Sequence, residues 1–67
     1  MFVIGYFKYG HGSRYLSKYS ADVWAFDYGR RNALTFDSRE TARSIVNKLK
    51  TQIYLRADDE LFIDTDI

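Results

Sequence analysis

The chain has 67 residues, with ten Lys and Arg, nine Asp and Glu, and neither Cys nor Pro. That length confines it to a single domain, 1–67, with a core of a size that rarely supplies more than about 3–5 kcal/mol, and the missing Cys excludes disulfides and thiolate metal sites. An apolar content of 46% and twelve aromatic residues exclude disorder and exceed what so small an interior hides.

The net charge of +1 conceals an asymmetry: residues 1–56 carry +6 and residues 57–67 carry −5. Two arrangements stay open. Either a basic body attracts a phosphate or an acidic protein at one site, or the acidic end folds back and neutralises it. The apolar start, Met1 to Lys8, is too short for a signal-peptide core and has no basic leader. No apolar run approaches the ~20 residues of a membrane span. The expectation is a cytoplasmic protein, native from Met1, with no membrane partner.

In chain order, Phe2 to Tyr9 is apolar on both alternating faces, as in a strand that is central or covered on both sides. Gly10-His11-Gly12-Ser13 reads as a turn, since its glycines permit positive φ. Arg14 to Tyr19 is then the returning arm of a hairpin, and Asp22 to Asp27 has strand composition before Tyr28-Gly29-Arg30-Arg31-Asn32 breaks it. Ala33 to Phe36 fits a short strand or one helical turn, with the strand preferred. Asp37 and Glu40 match a capping box with Phe36 as its staple. Ala42, Ile45, Val46, Leu49 and Ile53 follow as one helical stripe, opposite Arg39, Arg43, Asn47 and Lys50. The spacing predicts a helix over about 38–50. Gln52 to Arg56 and Leu61 to Ile63 read as a last hairpin about an Asp58-Asp59 turn. The fold class is therefore α+β: an antiparallel sheet of about four strands with a single helix across one face.

Catalysis finds little support. His11, the only His, lies between glycines with no rigid nucleophile beside it, and it reads as a polar turn residue. Asp58-Asp59-Glu60 lacks metal-loop spacing, and the glycine turn lacks the ending of a phosphate loop, so no metal and no cofactor are expected. What stands out is cations beside rings: Lys8-Tyr9, Arg14-Tyr15, Lys18-Tyr19 and Tyr28-Gly29-Arg30-Arg31. Such residues dominate protein-binding hot spots, and on a sheet they also stack bases and track phosphates. Adjacent strand residues point to opposite faces, however, so one member of Lys18-Tyr19 is expected to be buried and the other exposed. The helix's Arg39, Arg43 and Lys50 read as a solvated face unless the fold joins them to the Arg30-Arg31 turn.

Tyr15-Leu16-Ser17, Trp24, and Ala33-x-x-Phe36-x-Ser38-x-x-x-Ala42, ending near Leu49, form a succession that resembles short bacteriophage and prophage α+β miniproteins. The resemblance covers about residues 15 to 49. It implies a mobile-element protein, and some members of that group, the anti-CRISPR proteins, inhibit bacterial defence.

Taken together, the expectation is a small non-enzymatic protein that binds and inhibits a host protein in the host cytoplasm. Its candidate contacts are Tyr9, His11, Arg14, Tyr28, Arg30 and Arg31. The alternative is a nucleic-acid-binding accessory protein with a basic-aromatic sheet surface. A homodimer joined through strand edges is a third arrangement.

Overall fold

The computed structural model describes residues 1–20 and 22–65. Four strands, β1 (Phe2–Lys8), β2 (Gly12–Tyr19), β3 (Trp24–Asp27) and β4 (Glu60–Thr65), form one antiparallel sheet in the order β3-β2-β1-β4. The helix α1 (Arg39–Gln52) packs on one face. This is the α+β architecture expected from the sequence, with β1 central and covered on both sides.

Gly10 and Gly12 adopt φ of +81° and +79° at the β1–β2 turn, where a side chain would strain the backbone. Pairing between these strands runs only from Lys8↔Gly12 to Gly5↔Tyr15. Beyond that the strands splay, and residues 34–36 fill the gap. Leu34 N–H donates to the Leu16 carbonyl, while Phe36 and Phe2 exchange two backbone hydrogen bonds of 2.8 and 2.9 Å. Phe36 thus makes an isolated bridge to Phe2 and residues 33–35 carry no regular structure, so the segment is neither the short strand preferred from the sequence nor a helical turn.

That bridge also decides the cap. With Phe36 held by β1, Asp37 comes one residue too early, and Ser38 takes the N-cap instead of Asp37. Its hydroxyl accepts from the Thr41 N–H at 3.1 Å. The helix runs to Gln52, two residues beyond the expected end, and closes when Ile53 N–H donates to the Leu49 carbonyl. Ala42, Val46 and Leu49 bury their side chains with Ile4, Leu16 and Leu61, as the stripe predicts.

The final hairpin is corrected. Leu61 to Ile63 pair with β1, and residues 53–56 lie outside any strand. Once β2 and β4 flank β1, the Ile53 segment finds no edge there. It packs Ile53 and Leu55 against the core as irregular chain. A bulge at Ser17 reorders β2: the register steps from Leu16↔Phe26 to Lys18↔Ala25. Tyr19 is thereby returned to the core face beside Trp24, while Lys18 stays exposed.

On the other face, Val3, Gly5 and Phe7 alternate with the core residues of β1. Gly5 is paired with Tyr15 on one side and Phe62 on the other, and those two rings meet edge-to-face at 6.3 Å. The Arg30 guanidinium lies 4.8 Å over the Tyr15 ring, ion-pairs with Asp64 and donates to the Thr65 carbonyl. Val3, paired with Asp64 in this register, is only 1% exposed although it faces away from the helix. The loop after β3 therefore straps the second face.

A candidate docking surface at the hairpin end

β1 and β3 run toward the glycine turn and β2 away from it, so Tyr9, His11, Arg14 and Tyr28 belong to one end of the molecule. The helix begins beside Phe2 at the opposite end, and its C-terminus delivers residues 53–59 to the hairpin.

A cleft of about 130 Å³ separates the glycine turn from the 56–59 turn, lined by Lys8, Tyr9, His11, Arg56, Asp58 and Asp59. Asp59 clasps its two walls: its carboxylate accepts from the Tyr9 N–H at 3.1 Å and the Arg56 N–H at 3.2 Å. Partial burial pushes the Asp59 carboxyl upward, but those two donors and the charges of Lys8 and Arg56 outweigh it and leave it below the usual range.

Arg14 and Tyr28 form the second cluster. The Arg14 guanidinium lies 4.7 Å from the Tyr28 ring centre and donates to its hydroxyl at 2.8 Å. Beneath them Tyr6 and Phe26 meet edge-to-face at 5.4 Å. Arg14 Nε is buried without a hydrogen-bond partner among the described residues, so the side chain is held by packing as much as by polar contact.

Of the six candidate residues, Tyr9 and His11 share the cleft and Arg14 and Tyr28 share a stack. Arg30 is engaged internally. Arg31 is exposed in the same loop. The acidic end does fold back in part, through Asp59 at the hairpin and Asp64 at Arg30, while Asp66 lies outside the described residues.

Tyr54 is the residue missed. It is 83% exposed, ahead of Tyr9 at 71% and Tyr28 at 61%, and precedes Arg56 of the cleft by two positions. Alternation in Ile53-Tyr54-Leu55 carried the signal, since the flanking residues face the core and Tyr54 must turn out. Reading the segment as a paired strand masked it. Tyr19 and Trp24, by contrast, are half-buried against the core.

No protein family, curated protein or solved structure matches this chain. Among the described residues, no helix is long and apolar enough to cross a membrane.

Proposed function

We propose that this chain is a non-enzymatic binding protein that docks onto a protein partner through its hairpin end. The setting implied by the sequence resemblance is a phage-type inhibitor of a host protein. One observation carries the reading. Tyr9, Tyr28 and Tyr54 expose most of their rings on a domain whose interior is already filled, with Phe7 also exposed on β1. Tyr and Arg supply large, rigid contact area and dominate binding hot spots. Arg14, stacked on Tyr28, offers a guanidinium already ordered before any partner arrives, which lowers the entropic cost of docking.

The test is capture from a bacterial lysate by the immobilised wild-type chain and by a Tyr9→Ala/Tyr28→Ala/Tyr54→Ala variant. A protein retained by the wild type, lost by the variant and forming a complex of fixed stoichiometry in sedimentation supports the proposal. Equal retention by both chains, or recovery of nucleic acid alone, overturns it.

A further inference from the structure

A second surface lies on α1. At 100° per residue, Arg39, Arg43 and Lys50 fall within an arc of about 40°, spread over about 16 Å of helix axis. All three are exposed, and none makes an ion pair among the described residues. Arg39 and Arg43 border a shallow depression that also holds Glu40, Ser44 and Asn47.

The row continues past the helix N-terminus. Arg39 lies 5.0 Å over the ring of Phe2, which pairs with Thr65, whose carbonyl accepts from Arg30. The Arg30 turn and the helix flank therefore meet at one corner of the sheet. Among the described residues, Asp64 is the carboxylate paired with a cation there.

Chemistry selects the occupant. The outward residues Glu40, Ser44, Asn47 and Thr51 offer no apolar side chain to insert into a lipid surface. Nor do they offer an exposed ring to anchor a protein hot spot or stack an unpaired base. Tyr15 is covered by Arg30 and Tyr28 stacks with Arg14, while the exposed rings of Phe7 and Tyr9 lie on the far face of β1 and at the glycine turn rather than on this flank. A row of cations along one helix, with neighbouring hydroxyl and amide groups and Glu40 as the one carboxylate between Arg39 and Lys50, matches a row of phosphates. We propose that the Arg39–Arg43–Lys50 flank of α1 binds the phosphate backbone of double-stranded DNA without reading its sequence.

The experiment is fluorescence anisotropy of a labelled 20-base-pair duplex titrated with the full chain between 50 and 200 mM NaCl. Three phosphate contacts, each with a slope of about −0.9 in log–log salt dependence, weaken wild-type binding about fortyfold across that range. Arg39→Gln/Arg43→Gln/Lys50→Gln weakens binding at 50 mM and abolishes most of the salt dependence. Glu40→Gln tightens binding. A control with the same charge change, Lys8→Gln/Lys18→Gln/Arg56→Gln, retains it. Circular dichroism verifies folding, and if the helix triple variant unfolds, Arg43→Gln alone decides. The proposal is overturned by absent binding at 50 mM, by equal loss in the control, or by tighter binding of a single strand of the same length. None of these results bears on protein docking by the hairpin tyrosines.

Discussion

The ring of Phe62 lies directly over Gly5, in the space a β-carbon would need. A Cβ built on Gly5 comes within 2.1 to 2.6 Å of three Phe62 ring atoms. The glycine thus lets two strands carry large rings, Phe62 and Tyr15, across a central strand that has no side chain at that point. This is the seat on which the Arg30 strap rests.

Gly5→Ala is accordingly expected to destabilise the chain by about 1–3 kcal/mol, the range for overpacking. The cause is specific enough to be isolated. In a Phe62→Ala background the same substitution meets open space, so its cost falls. A double-mutant cycle by urea denaturation measures the coupling, and additive effects would show that the ring is not what excludes the methyl.

Capping offers a sharper contrast. Ser38→Ala removes the acceptor for the Thr41 N–H and is expected to cost about 1 kcal/mol, whereas Asp37→Ala leaves stability nearly unchanged. Thermal melts of the two variants distinguish the serine cap from the aspartate cap that the capping-box pattern suggests. A larger loss for Asp37→Ala would reverse the assignment.

Two carboxylates give the fold an acid limit. The Arg30 hydrogen bond, aided by the Thr65 N–H, holds Asp64 below the usual carboxylate range against partial burial, with the charges of Arg30 and Arg39 adding to it. Asp59 is lowered too, its clasp donors and neighbouring cations outweighing burial. A depressed folded pKa means that folding favours the charged form. The stabilisation is fully present above the unfolded value of about 3.9 and disappears as pH falls through the lowered folded values. Melting temperature is therefore expected to fall as pH drops below about 4, and Asp64→Asn should flatten that fall. Because the Arg30 pair is exposed, salt should weaken its share.

The parts legible in the sequence were those set by periodicity. The 3.6-residue stripe located α1 and its buried residues, and the two glycines located the hairpin. What periodicity does not encode is the choice of partner. Leu61 to Ile63 and Ile53 to Leu55 have similar composition, yet only the first reaches a free edge of β1. The Ser17 bulge inverts the face of Tyr19 by inserting one residue, which a period of two cannot register. Arg30 was legible as a cation in a turn, but its reach to Asp64, 34 positions away, belongs to the folded chain alone.

Exposed and structural rings should separate cleanly in stability measurements. Tyr54 and Tyr9 stand in solvent, so replacing either with Ala is expected to change stability by no more than about 0.5 kcal/mol. Leu49, fully buried against Ile4 and Leu16, should lose about 2–5 kcal/mol as Ala, a large share of what a chain of this size holds. Urea denaturation of the three variants checks both expectations together. The contrast matters for the docking reading, because a ring that can be removed without loss of stability has no structural reason to be there. If Tyr54→Ala instead destabilised the fold as Leu49→Ala does, its exposure would have to be explained by packing, and the hairpin end would lose its strongest anchor.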